Sequence, residues 1–153
     1  MSLEYDLYLD TRTPGPDVLE LLAELHGLKP KGDGFQGPGL SGRVFAVSPE
    51  RRETLREGLG VEPTVCVSFR VSLAPGDQDR EEGHRGVRGA LESSLALLDR
   101  IPGPAVFIFN GESPVFLRTR SALTLNNAKG FWSGWRLELV KGRIYEFADL
   151  PGL

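Results

Sequence analysis

Hydrophobic and polar residues alternate over several short stretches of this chain, a pattern that predicts half-buried β-strands. The longest stretch covers residues 64–73, and an earlier one covers residues 3–10. Residues 105–109 are apolar throughout, which is typical of a central strand buried on both faces, and Asn110-Gly111 predicts a tight turn after it. Further strands are predicted at residues 43–48, 115–120, 137–140 and 144–147.

Apolar residues recur at helical spacing in two longer segments. The first follows the turn at residues 13–16 and ends at Gly27, since glycine commonly terminates helices. The second covers residues 79–100 and stops before Pro102. A shorter polar helix is predicted at residues 49–56, with Ser48 as its N-cap.

The elements therefore run strand, helix, strand, strand, helix, strand, and then further strands. This order predicts an α+β fold with a mainly antiparallel sheet and two long helices. It is the βαββαβ pattern of ferredoxin-like folds, followed by a C-terminal β extension. We expect a single domain over residues 1–153, in which the Gly- and Pro-rich residues 29–42 form a surface loop and residues 104–153 a β-rich C-terminal part.

The composition is that of an ordinary soluble globular protein: 153 residues, 25% charged, with a formal net charge of -3. A mildly acidic chain lacks the basic face that nucleic-acid binding requires. Cys66 is the single cysteine, so no disulfide can form within the chain. No signal-peptide pattern or membrane-length apolar run occurs, and we therefore expect a cytoplasmic protein without membrane insertion.

Acidic residues are concentrated near the N-terminus, where residues 1–40 hold seven Asp or Glu against three Lys or Arg. Asp6 and Asp10 fall, with Glu4, on the polar side of the predicted first strand. A stripe of carboxylates can attract a basic partner, although an ordinary solvated face has the same pattern. Asp6 and Asp10 are therefore candidate partner-binding residues.

The densest aromatic cluster lies further along, at Phe131, Trp132 and Trp135, and is followed by Arg136. Trp and Arg are enriched among the residues that dominate protein–protein affinity. The alternative is that the two tryptophans form a lid over the core. Trp132, Trp135 and Arg136 complete the candidate partner-binding set.

One segment suggests metal binding, because it gathers four carboxylates and an imidazole: Asp77, Asp79, Glu81, Glu82 and His84. The spacing does not match a calcium loop, which requires Gly and Glu at its sixth and twelfth positions. Acidic residues are also favoured in the first turn of a helix by the helix dipole, and this is the preferred interpretation. No metal, other cofactor or catalytic residue is predicted.

The remaining motifs lie at the two ends of the chain: Leu3-Glu4-Tyr5-Asp6-Leu7-Tyr8-Leu9, Phe107-Ile108-Phe109-Asn110-Gly111-Glu112, Leu123-Thr124-Leu125-Asn126, Gly130-Phe131-Trp132 and Tyr145-Glu146-Phe147-Ala148-Asp149-Leu150-Pro151. With these motifs the chain resembles the Sit-type (swarming-inhibition) immunity proteins of myxobacterial polymorphic toxin systems. The resemblance implies a non-enzymatic protein that binds and neutralises a cognate toxin, protecting the producer and its kin. The alternatives are a small metal-dependent enzyme that uses the acidic segment and a small-ligand sensor with an apolar pocket.

Overall fold

Nine strands form one sheet in the computed structural model, which describes residues 2–72, 81–120 and 122–153. In chain order they are β1 (Ser2–Leu9), β2 (Lys29–Lys31), β3 (Gly34–Gly37), β4 (Leu40–Ala46), β5 (Val65–Ser72), β6 (Ala105–Phe109), β7 (Ser113–Arg118), β8 (Leu123–Asn126) and β9 (Tyr145–Ala148). Across the sheet the order is β2-β3-β4-β5-β1-β6-β7-β8-β9. Every neighbouring pair is antiparallel except β8 and β9, so the predicted mainly antiparallel sheet is confirmed.

The helices are α1 (Gly15–His26), α2 (Pro49–Leu59), α3 (Glu81–Arg100) and the short α4 (Trp135–Glu138), with a 3-10 turn at Ala128–Gly130. The α+β class is therefore confirmed. The predicted caps are present: the Ser48 side chain accepts a hydrogen bond from the Arg51 backbone, and α1 ends at Gly27 in the left-handed region (φ 61°).

The expected pair of long helices is not confirmed. Within the described ranges only α3 is long, with 20 residues, whereas α1 has 12 and α2 has 11. The αL glycine after His26 ends α1 where the sequence predicted, while α2 continues past residue 56 to a glycine of its own, Gly60. The ferredoxin-like arrangement stays a prediction. No helix in the described part of the chain combines the length and apolar character that crossing a bilayer requires.

Apolar side chains are buried on both faces of the sheet. On one face α1 and α3 pack Leu22 and Leu91 against Leu7 of β1, in a large cluster that also includes Phe107. On the other face α2 packs Leu55 against a smaller cluster: Tyr8, Cys66, Val106 and Ile108. Alternate residues of β6 belong to the two clusters, so the prediction of a central strand buried on both faces is confirmed.

The predicted surface loop at residues 29–42 is wrong, since this segment forms β2, β3 and the start of β4. The strands could not be predicted because glycine is disfavoured in strands and adds nothing to an alternation of hydrophobic and polar residues. At Gly42 it is required: a Cβ atom there would lie 2.1 Å from the Ser68 carbonyl oxygen and 2.5 Å from Cζ of Phe35. Phe35 is buried in the space this leaves and packs edge-on against Phe69.

The predicted strand at residues 137–140 is also wrong, because residues 135–138 form α4. Local hydrogen bonds continue the turn, with the Val140 amide donating to the Leu137 carbonyl and the Arg143 amide to that of Val140. Glycines with positive φ stand on both sides, at Gly134 (57°) and Gly142 (89°). Each is a conformation that side-chain-bearing residues seldom adopt, so the chain turns sharply before and after α4.

Arg118 of β7 holds the end of α3 to the sheet. Its guanidinium donates to three backbone carbonyls, those of Leu98 (2.7 Å), Ile101 (2.5 Å) and Gly103 (2.9 Å). The last carbonyls of a helix have no N–H donor within the helix and need one from outside it. A cation at this end also complements the helix dipole. Burial lowers the pKa of Arg118, but the side chain stays a cation because an arginine pKa starts so high.

Candidate partner-binding surface

Trp132 is part of the core rather than of the surface. Its side chain is 7% exposed, and its indole Nε1 donates to the Val115 carbonyl at 2.8 Å. The ring packs against Phe131 at 5.2 Å and Phe116 at 6.4 Å between centroids. Trp132 therefore fits the alternative in which the tryptophans form a lid over the core.

Trp135 and Arg136 lie next to this lid and remain half-buried. The Arg136 guanidinium carbon lies 4.7 Å from the Phe131 ring centroid and 4.9 Å from the Trp135 centroid, so it stacks on two aromatic rings. Trp135 in turn contacts α3, where His84 lies 5.8 Å and Arg88 5.9 Å from its ring centroid. These contacts fix α4 against α3 and hold Arg136 in one place.

A cleft of about 500 Å³ opens beside this stack. Its walls come from β1, β6, β7, β8, α4 with the segment before it, and the segment after β9, and they include Tyr5, Phe109, Phe131 and Arg136. Among the described residues that line it, Arg136 is the only charged one. The sequence placed Arg136 in a candidate set, but it did not connect it with Tyr5, which comes from the other end of the chain.

Asn126 builds the floor of the cleft. Its side-chain Nδ2 donates to the Pro114 carbonyl at 2.6 Å, and its Oδ1 accepts from the backbone amides of Ala128 and Leu150. Every polar atom of this buried amide is thereby used within the protein, which makes the wall rigid. Asn126 ends one of the motifs that carry the family resemblance, but its structural role could not be read from that motif because its partners come from three separate segments.

Tyr5 is a buried residue that lines the cleft. Its ring stacks on Phe107 at 5.4 Å and contacts Phe109 at 4.9 Å. Burial raises the pKa of Tyr5 to about 12, although the positive charge of Arg136 opposes the shift. The phenol is therefore protonated at neutral pH and can donate a hydrogen bond.

The predicted exposed stripe of Asp6 and Asp10 needs correction. Asp6 is only 9% exposed, because it lies on the sheet face that α2 covers. Burial raises the pKa of Asp6, and the nearby Ser68 hydroxyl and Arg51 oppose the shift only in part. Asp10 is half-buried just after β1, at the end of the strand that lies away from Tyr5. Neither residue lines the cleft, and their role in partner binding stays a prediction.

The acidic segment proposed for metal binding falls largely outside the described residues. Asp77 and Asp79 are among residues 73–80, and the side chains of Glu81 and Glu82 are not described either. His84 packs against Trp135. Among the side chains that the structure does describe, no group of three or more His, Cys, Asp or Glu could hold a metal ion.

Two other surface features were not foreseen. The edge strand β9 exposes Tyr145 and Phe147, and Ile144 beside it is 75% exposed. On the sheet face opposite α1 and α3, an open groove of about 370 Å³ carries charges of both signs, including Glu4, Arg43 and Arg70. The groove is polar and mixed in sign, so it has no preference for one class of charged partner.

The fold and the cleft together define an α+β protein with an open cleft beside Arg136. The model of the SitI3-like family matches residues 3–136, and the chain therefore belongs to the SitI3-like family. This membership confirms the resemblance to Sit-type immunity proteins and points to an immunity-protein role, although the motif at residues 145–151 lies beyond the matched range. Neither a curated protein nor a solved structure matches the chain.

Proposed function

We propose that this chain is an immunity protein that binds a cognate bacterial toxin and neutralises it without catalysis, in the cytoplasm of the producer and its kin. The observation that carries the proposal is the family match over residues 3–136. Neutralisation of this kind requires a complementary surface and no reacting group. The protein would then act by occupying the toxin rather than by modifying it.

The surface we propose for toxin binding is centred on Trp135 and Arg136, with Trp132 supporting them from the core. Trp and Arg are enriched at the energetic centres of interfaces, where rigid side chains lose little entropy on binding. Arg136 already packs on the Phe131 and Trp135 rings, so its side chain would lose little conformational entropy on association. Asp10 would contact the toxin outside this surface, and Asp6 would reach the toxin only if α2 moved away.

The scaffold we propose is ferredoxin-like, with additions. The order β4-β5-β1-β6, with α1 after β1 and α3 after β5, is what a βαββαβ arrangement requires. β2, β3 and α2 are then insertions, and β7 to β9 form the C-terminal extension. The cleft lies where this extension meets β1 and β6.

The test is co-expression with the product of the reading frame next to the gene of this chain. We expect cells that produce both proteins to grow, and cells that produce the neighbouring protein alone to stop growing. Calorimetry on the two purified proteins should give a one-to-one complex with nanomolar affinity, which is about -12 kcal/mol. Arrested growth despite this chain, or no binding heat, would contradict the proposal.

A second candidate function is small-ligand binding in the same cleft. The observation that favours it is the cleft volume of about 500 Å³, which falls in the usual range for ligand sites. A ligand that binds only the folded state raises its melting temperature. Thermal shifts with a panel of small carboxylates, in the absence of any partner protein, would separate this function from toxin binding.

A further inference from the structure

Four of the described arginines are half-buried: Arg51, Arg118, Arg136 and Arg143. One of them differs from the others in its hydrogen bonding. Arg51 donates to the Tyr8 hydroxyl (3.1 Å) and the Gly111 carbonyl (2.9 Å). Arg118 donates to three carbonyls, and Arg143 donates to the Leu139 carbonyl and the Asp99 carboxylate. The Nε atoms of Arg136 and Arg143 are both buried without an acceptor among the described residues, but Arg136 alone of the four donates no side-chain hydrogen bond to a described residue.

Arg136 also has no charged partner among the described side chains. None of the ion pairs between described residues includes it, and none of the other described residues that line the cleft is charged. A half-buried cation without an acceptor costs free energy that an arriving anion would recover. The free protein is therefore complementary to a negative charge at this point, even though its formal net charge is -3.

The stacking of Arg136 defines how that anion would approach. The guanidinium carbon lies over the Phe131 and Trp135 rings, which accept hydrogen bonds only weakly, so the N–H edge of Arg136 is left for an anion. A planar carboxylate matches this edge with two parallel hydrogen bonds. Tyr5, whose phenol is protonated, lines the same cleft and is the candidate for a further donor.

We propose that this cleft receives the carboxylate of an Asp or Glu side chain of the toxin, with Arg136 as its main partner and Tyr5 as a second donor. The proposal rests on the proposed function and names the chemistry of its contact. Phe109 and Phe131 line the cleft and would contact the apolar stem of the acidic side chain. The surface is thus selective for an acidic residue beside apolar ones.

The experiment compares the affinities of three variants for the product of the neighbouring reading frame, by calorimetry with the full chain. Arg136→Gln removes the charge, and we expect the affinity to fall by at least about tenfold. Arg136→Lys keeps the charge but loses the planar fork, so it should fall between wild type and Arg136→Gln. Arg120 is exposed at the end of β7, and the matched control Arg120→Gln should stay within about twofold of wild type.

The outcomes separate this inference from the proposed function. If the wild-type chain binds the partner and Arg136→Gln binds equally well, the inference is wrong while the immunity role stands. If the wild-type chain binds nothing, the proposed function itself fails. Melting temperatures check that each variant is folded, and Arg136→Lys replaces Arg136→Gln should the latter be unfolded. Tight binding of free N-acetylglutamate by the chain alone would reassign the cleft to a small carboxylate and overturn the protein contact.

Discussion

Arg118 and Arg136 show two uses of one residue type in the same protein. Arg118 is inserted between β7 and the end of α3, where three carbonyls accept its hydrogen bonds. Arg136 is stacked on two aromatic rings and leaves its buried Nε atom without an acceptor among the described residues. The difference indicates that the first arginine stabilises the fold, whereas the second has no acceptor for its Nε among the described residues and is therefore the one we propose for the toxin contact.

The largest effect is expected at the lid that supports Arg136. Trp132→Ala removes a buried ring and its hydrogen bond to Val115, and should destabilise the fold by about 3–5 kcal/mol. Chemical denaturation measures the loss. Trp135→Ala, at the half-buried neighbour, should cost clearly less, and equal costs would show that both tryptophans belong to the core.

Arg118→Met should come next, with a loss of about 3 kcal/mol, because three carbonyls would lose a charged donor. The same denaturation experiment measures it. The control is Arg120→Met, at an exposed position two residues along the chain, which should change stability by less than about 0.5 kcal/mol. A loss of stability at Arg118 no larger than that at Arg120 would contradict the structural role assigned to Arg118.

Asp6→Asn is expected to stabilise the protein at neutral pH, whereas Trp132→Ala and Arg118→Met are expected to destabilise it. Below the ordinary pKa of 3.8 the carboxyl is protonated in both the folded and the unfolded chain. Because burial raises the folded pKa, stability is lost as the pH rises from there through the folded pKa, and the loss persists at neutral pH.

An amide does not ionise, so Asp6→Asn should stabilise the protein at neutral pH by about 1 kcal/mol. The gain should vanish below the ordinary pKa of 3.8. Urea denaturation over a pH series, with wild type beside the variant, measures both. A variant that is less stable than wild type at neutral pH would show that the Asp6 carboxylate makes a favourable contact.

The smallest effect on stability is expected at Arg136. Arg136→Met keeps an unbranched side chain between the two rings and removes a buried donor that lacks an acceptor, so stability should change by less than about 0.5 kcal/mol. Thermal and chemical denaturation check this. A loss as large as that of Arg118→Met would make Arg136 a structural residue.

Much of the fold could be predicted from local patterns. Residues 65–72 alternate because one face packs on the core, and α2 begins at Ser48 because its hydroxyl caps the helix. The strands in residues 29–42 were missed because glycine stands where Phe35 and the β5 backbone leave no room for a side chain. Strand propensity does not record a close approach between segments, so this part depends on tertiary structure.

The candidate site was predictable only in part. Aromatic density marked Trp132, Trp135 and Arg136, since these residues are neighbours in the sequence. Tyr5 joins them through the pairing of β1 with β6, a contact that no local pattern records. Asp6 was expected on a solvated face because strand alternation identifies two faces but does not say that α2 covers the second.

The most direct test of the account follows the arginine Nε–H resonances in NMR spectra of the labelled chain as the product of the neighbouring reading frame is added. Single Arg→Lys variants at 118 and 136 assign the two signals. The account predicts that binding shifts the Arg136 signal as its Nε–H gains an acceptor, while the Arg118 signal stays in place. A bound partner that leaves Arg136 unchanged and shifts Arg43 and Arg70 of the open groove would contradict it.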